Sequence, residues 1–214
     1  MTRPATNHLD TVVFDLDGTL VDSLTDIVLS FQYAFGQLGL EVPDEASVRA
    51  EVGKPLDEMY LLFAPQADVT MLVDLYREHY PLHFTDHSAL FPGVADLLTD
   101  LRSRGLKLAV ATTKRSDMAK SLADAVGLSP LVDHVQGTDD FPHKPKPDVI
   151  LHALRGVGGT GGWMVGDTRT DIQAGKAAGL KTYAVTWGTH DREQLAAAEP
   201  DALEPDLNKL LTLV

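Results

Sequence analysis

Residues 14–23 read FDLDGTLVDS, directly after the apolar run Thr11-Val12-Val13-Phe14. That run has the β-branched and aromatic composition of a buried strand, and it delivers Asp15 and Asp17 to the strand's end. Two like charges brought together where water is scarce are costly without compensation. A fold does not need them there, so the pair points to chemistry. In extended backbone, residues two apart point the same way, which puts Asp15 and Asp17 on one face. Gly18 then supplies a tight turn through which backbone amides can approach a ligand.

Further along the chain, LKLAVAT at 106–112, WMVGD at 163–167 and KTYAVT at 181–186 repeat the strand pattern, and DHVQG at 133–137 repeats it weakly. Amphipathic stretches separate them. In 92–104, Pro92 suits a first helical turn, Val94, Leu97, Leu98 and Leu101 share a face, and Gly105 suits the C-terminal cap. The segments 116–126 and 169–178 end in the same way at Gly127 and Gly179. Short apolar strands alternating with helices predict an α/β fold with a doubly wound parallel sheet, whose ligands sit beyond the carboxyl ends of the strands.

Between Val21 and about His87 the alternation lapses, and only helical patterns occur. Ser23 and Asp26 have capping-box spacing, and Ile27, Phe31, Ala34, Phe35 and Leu38 follow at helical intervals before Gly39. Two or three shorter helices fit 44–80. The pattern predicts a helical insertion after the first strand, over residues 21–85, lying across the strand ends of a core made of 1–20 and 86–214.

The 214 residues can bury a sizeable core, and 44% hydrophobic with 23% charged residues is ordinary globular composition. The formal charge of −13 repels nucleic acid and anionic membranes, which excludes polyanionic partners. A small anionic substrate is compatible if local cations or a metal reverse the field. Absence of cysteine excludes disulfides, thiolate metal sites and cysteine nucleophiles. The opening MTRPATNHLD has no apolar signal core, and no run nears the ~18 apolar residues of a membrane span, so a cytoplasmic protein is expected.

Asp167 ends another predicted strand, and Asp171 lies four residues on, on the same face of the next helix. Thr112, followed by Thr113, ends a third. The loop HKPKPD supplies Lys144. A doubly wound sheet gathers all of these at one edge. Hard carboxylate oxygens suit Mg²⁺, which is held by one or two carboxylates, waters and substrate phosphate. An aspartate beside it can attack phosphorus while a second protonates the leaving oxygen and later activates water. Asp171 has a competing role, because Thr168-x-x-Asp171 is also a capping box.

The ordered set DLDGTLVDS, VATT, KPKPD and GDTRTD resembles the haloacid-dehalogenase superfamily of phosphotransferases, over nearly the whole chain beyond residue 10. Its later part, GLKTYAVTWGTHDREQLAAAEPDALEPDLNKL, is similar to the phosphoglycolate-phosphatase-like subgroup. The resemblance implies a Rossmann-like core with a helical cap domain in the family's first insertion position. It implies Asp15 as nucleophile and Mg²⁺ ligand, and Asp17 as acid/base ligating the metal through its backbone carbonyl. Asp167 would be the third protein ligand, supported by Asp171, while Thr112 and Lys144 would hold the phosphoryl group. Thr113 departs from the asparagine that close relatives often carry. An aspartate at position 17 favours phosphoester chemistry over dehalogenation or phosphonate cleavage.

The expected function is therefore Mg²⁺-dependent hydrolysis of a small phosphorylated metabolite by a monomer or homodimer, with phosphoglycolate as the leading substrate. The alternatives are a phosphatase of sugar phosphates, nucleotides or pyrophosphate, a phosphoglucomutase-like isomerase, and a catalytically silent binding protein. Arg49, Lys54 and Arg77 are the only Lys or Arg residues between Leu40 and Thr85, and Lys54, in the turn Gly53-Lys54-Pro55, is the first candidate for reading a substrate carboxylate, ahead of Arg49. Two motifs are declined. GVGGTG at 156–161 precedes a strand rather than following one, the reverse of a dinucleotide fingerprint. His79, His83 and His87 recur every fourth residue, but Pro81 is expected to break their helix, which leaves them as loop histidines rather than a zinc site.

Overall fold

The computed structural model describes residues 9–214; the N-terminal residues read above for a signal core lie mostly outside that range. β1 (Thr11–Phe14) leads to β2 (Val21–Asp22) and four helices, α1 (Leu24–Gln37), α2 (Glu45–Arg49), α3 (Leu56–Phe63) and α4 (Val69–His83). β3 (Ala89–Leu90) returns beside β2, and the alternation resumes with α5 (Val94–Ser103), β4 (Lys107–Ala111), α6 (Ser116–Ala125) and β5 (His134–Gln136). It ends with α7 (Asp148–Val157), β6 (Gly162–Gly166), α8 (Arg169–Ala177), β7 (Lys181–Val185), α9 (Arg192–Ala196) and β8 (Ala202–Glu204).

Six strands form one parallel sheet in the order β5-β4-β1-β6-β7-β8. β1 is apolar at every position because both of its faces are covered. Val12 and Phe14 pack with Leu97, Leu101 and Leu122 from α5 and α6. Val13 faces the other way, against Ile150 and Ala153 of α7 and Ala174 of α8. Phe14 is level with Val110 on β4 and Val165 on β6, so these three strands end together. That register sets Asp15, Thr112 and Asp167 at one edge.

The first four helices bury a separate cluster in which Phe31, Phe35, Tyr60, Leu72 and Tyr80 are nearly inaccessible. Phe31 stacks on Tyr60 at 4.1 Å between centroids, a geometry that adds to the area buried. Where only helical patterns were expected, Val21 and Asp22 instead pair antiparallel with Leu90 and Ala89. Two-residue strands are too short to show a period. Pro92 also falls outside its expected helix, because Gly93, at φ 82°, is the N-cap of α5. Among the described residues no helix is long and apolar enough to cross a membrane.

Pro81 does not break α4, which runs to His83. The bond forgone is the one to the Arg77 carbonyl near the helix end, and Tyr80 beside it is held in the apolar cluster. His79 and His83 are therefore helical and stack at 4.1 Å. The three histidines still do not converge: His79 Nδ1 meets Ser30 Oγ, His83 meets Asp86, and His87 meets Asp26.

Ser23 precedes α1 without capping it, and Asp26 serves another purpose than the expected box. Its buried carboxylate accepts from the backbone N–H groups of His87 and Ser88 at 3.1 and 2.9 Å, from Ser88 Oγ at 2.7 Å and from His87 Nδ1 at 2.7 Å. Against the cost of burial, the donors of Ser88 and His87 hold its pKa below the ordinary carboxylate value. Asp26→Ala strands these donors and should lower the melting temperature by about 5–10 °C near neutral pH. Because the native pKa is depressed, wild type has this stabilisation above about pH 4 and loses it as pH falls through the native pKa. Thermal melts should show the two proteins converging in acid.

Candidate active site

Asp15 leaves β1 with its N–H donated to Val165 O at 2.8 Å. The chain then turns sharply, with the Thr19, Leu20 and Val21 N–H groups converging on Leu16 O. Gly18 sits at φ 80°, and a Cβ there would fall 2.4 Å from Asp167 Oδ2, so glycine is required on both counts. The turn carries Thr19, whose hydroxyl donates to Asp167 Oδ1 at 2.7 Å. Ser23 donates to Asp17 Oδ1 at 2.5 Å.

Lys144 lies at the centre. Its ammonium donates to Asp15 Oδ1 and Asp171 Oδ1, both at 2.5 Å, and to Ala111 O at 3.1 Å. Burial alone would lower its pKa, but Asp15 and Asp171 hold it above the ordinary lysine value. Burial pushes Asp15 well up; Lys144 opposes this, while Asp171 and Asp167 add to it. Asp167 is raised to about 6, by burial first and Asp171 next, against hydrogen bonds from Thr189 and Thr19.

Asp171 forms the capping box and also holds Lys144. Its Oδ2 accepts from Thr168 N and Oγ1 in a complete capping box at the start of α8, while its Oδ1 takes Lys144. Both of its oxygens are thus committed. Asp15, Asp167 and Asp171 place carboxylate oxygens within 4.8 Å of one another, all buried. Asp15 Oδ2 has no donor among the described residues, and each Asp167 oxygen accepts a single hydrogen bond. Hard oxygen donors with spare lone pairs, beside a fully engaged supporting carboxylate, fit a divalent cation.

The surrounding cavity, of about 1020 Å³, is floored by Asp15, Asp17, Thr112, Thr113 and Lys144 and roofed by Lys54, Tyr76, Arg77 and Tyr80 of the helical unit. Thr112 is buried; its oxygen accepts the Lys114 N–H at 3.2 Å, which leaves its own proton for a ligand. Lys54 lines the cavity and pairs with Glu51. Arg49 does not reach it, being bound to Glu45 and to Thr25 Oγ1 at 2.7 and 2.8 Å. Sequence reasoning missed Lys114, which meets Asp17 across 3.2 Å. It also missed the Thr189 N–H on Asp167 and Gly188, whose Cβ would lie 2.2 Å from Asp167 Oδ2. A cation in the loop after a catalytic-edge strand was the available signal for Lys114. Nothing local pointed to the other two.

An aspartate pair ending the central strand, a bridging lysine and a second acidic strand end, on a six-stranded parallel sheet, define a hydrolase class. The chain belongs to the haloacid dehalogenase-like hydrolase family, which it matches over residues 12–185. It is 35% identical over 188 residues to the phosphoglycolate phosphatase of Aquifex aeolicus, covering 83% of this chain and 84% of that one. To the pyrophosphatase PpaX of Oceanobacillus iheyensis it is 31% identical over 208 residues, covering 95% and 96%. A haloacid dehalogenase-like family hydrolase from Streptococcus pneumoniae superposes with a TM-score of 0.88 at 29% identity, covering 96% of this chain and 98% of that one.

Proposed function

We propose that this chain hydrolyses the phosphate monoester of a small metabolite with Mg²⁺, through a phosphorylated Asp15, and that phosphoglycolate is its leading substrate. The observation that carries the reading is the Lys144 ammonium shared between Asp15 and Asp171, beside Asp167 and within one turn of Asp17. Asp15, Asp167 and the Asp17 carbonyl would hold the metal. When bound there, Mg²⁺ offsets the charge on the phosphoryl oxygens.

Asp15 Oδ2, the oxygen that Lys144 leaves open, attacks phosphorus as the ester P–O bond breaks. Asp17 gives its proton to the departing alkoxide. Lys144 and the Thr112 hydroxyl stabilise the equatorial oxygens as charge develops on them. Asp17 then takes a proton from water, the water oxygen bonds to phosphorus, and the Asp15–phosphorus bond breaks to release inorganic phosphate. The helices between Leu24 and His83 serve as the cap, roofing the cavity and limiting water. An assay with p-nitrophenyl phosphate tests the reading: turnover should require Mg²⁺ and stop on chelation. No hydrolysis of this ester or of a phosphometabolite panel would overturn it.

The 31–35% relatives bear both phosphoglycolate phosphatase and pyrophosphatase names, so the roof of the cavity must decide between substrates. Lys54 lines that roof, which supports it over Arg49, bound to Thr25, as the residue that would read a carboxylate. Lys54→Ala should lower kcat/KM for phosphoglycolate by about 1.5–3 kcal/mol, the range for hydrogen bonds to charged groups, with p-nitrophenyl phosphate little changed. Equal losses on both would pass the role to Arg77.

A further inference from the structure

We propose that Lys114 is a positioning residue that couples the seating of α4 to the orientation of the Asp17 carboxylate. The inference rests on the assignment of Asp17 as acid/base. The Lys114 ammonium donates to the Tyr80 hydroxyl at 2.7 Å and lies 3.2 Å from Asp17 Oδ1. It therefore joins the sheet edge to the helical unit through one side chain. Both charged partners are close to nine-tenths buried, at 10% and 11% exposure, where an ion pair is weakly screened.

The root of Lys114 is fixed. Its N–H donates to Thr112 Oγ1, its carbonyl accepts from Thr138 N at 3.0 Å, and the loop is backed so tightly against Gly137 that a Cβ there would fall 2.5 Å from that carbonyl. Tyr80 is fixed too, stacked on Tyr76 at 5.1 Å and 2% exposed. With both ends anchored, the ammonium position reports where α4 sits relative to the sheet.

The consequence falls on Asp17. Lys114 and Ser23 both engage Oδ1, and Oδ2 has no donor among the described residues. Oδ2 is thus the oxygen left to carry the transferable proton. If α4 moves away, Lys114 is drawn between two partners and one of the restraints on Oδ1 is lost. Proton delivery then depends on the helical unit being seated.

The test uses Tyr80→Phe and Lys114→Met in the full chain, with phosphoglycolate and p-nitrophenyl phosphate as esters. An alkoxide needs its proton as it departs, whereas p-nitrophenolate needs little help. Tyr80→Phe should lower kcat for phosphoglycolate about three- to tenfold, as expected for one hydrogen bond, and Lys114→Met by more. Both KM values should stay within about twofold, and the loss of kcat should be smaller for p-nitrophenyl phosphate, which depends on Asp17 only in the later step that activates water. An unchanged kcat on phosphoglycolate would overturn the proposal, and a KM rise shared by both esters would make Lys114 a substrate contact and overturn it as well.

A second readout needs no turnover. Thermal midpoints of Tyr80→Phe, Asp17→Asn and the double variant should be non-additive by about 2 °C or more, and additive in a Lys114→Met background. Additivity in the native background overturns the coupling. If the wild-type chain hydrolyses neither ester, the phosphatase reading has failed, and the unfolding cycle alone decides whether Lys114 links α4 to Asp17.

Discussion

Asp15→Asn should give a protein that is inert yet melts above wild type at pH 7 in the absence of metal. Turnover should fall by a factor on the order of 10⁴ or more, because an amide cannot act as the nucleophile. The stability gain follows from the site's electrostatics. Burial, with Asp171 and Asp167 nearby, raises the Asp15 pKa despite Lys144, so the native state resists its ionisation. A raised native pKa contributes stability that is complete below the unfolded value of about 4 and is lost as pH rises through the native one. The difference between the two proteins should therefore be largest at neutral pH and vanish near pH 4. Adding Mg²⁺ should raise the midpoint of wild type more than that of the variant. A variant less stable than wild type at pH 7 without metal would contradict this account of the site.

Lys144→Met should be as inactive but should move stability the other way. The change removes the cation from between two buried carboxylates and leaves the Ala111 carbonyl without this donor. Breaking a buried pair by deleting one partner costs about 3–5 kcal/mol, which corresponds to a melting temperature lower by about 10 °C or more. Mg²⁺ should restore part of it by neutralising the stranded carboxylates. Lys144→Arg should not rescue activity, because a planar guanidinium cannot take the place of a compact ammonium in contact with three oxygens. Paired melts with and without metal, beside activity assays, check both variants. Opposite signs of stability change for two inactive variants would distinguish charge balance at the site from a general loss of fold.

The sheet was legible in the sequence because its strands are continuous apolar runs ending in chemistry. Val12, Val13 and Phe14 face both sides of the sheet, and no helical stripe has that composition. Asp15, Asp17, Thr112, Lys144, Asp167 and Asp171 were each readable because each follows closely on a strand, sits in a proline-flanked loop or lies in the first turn of the next helix. What escaped depends on tertiary context. Pro81 stays helical because Tyr80 is locked in the apolar cluster, and the Arg49 fork turns to Thr25 on a neighbouring helix. Asp26 reaches across 62 positions to Ser88, a partner that local spacing does not reveal. β8 and the β2–β3 pair are too short for a period of two to register.

The β2–β3 pairing has one more consequence. The chain leaves the sheet layer at Val21 and Asp22 and comes back at Leu90 and Ala89, which are bonded to those same two residues. Everything between enters and exits through a single doorway, and Asp26 fastens the returning strand just outside it. Such a segment is a replaceable cassette. Its length and lining can drift, or be exchanged wholesale by recombination, without shifting the register that gathers Asp15, Thr112 and Asp167 at one edge. New linings can then arise over a carboxylate cluster that is inherited intact, so long as a partner for Lys114 is kept where Tyr80 stands.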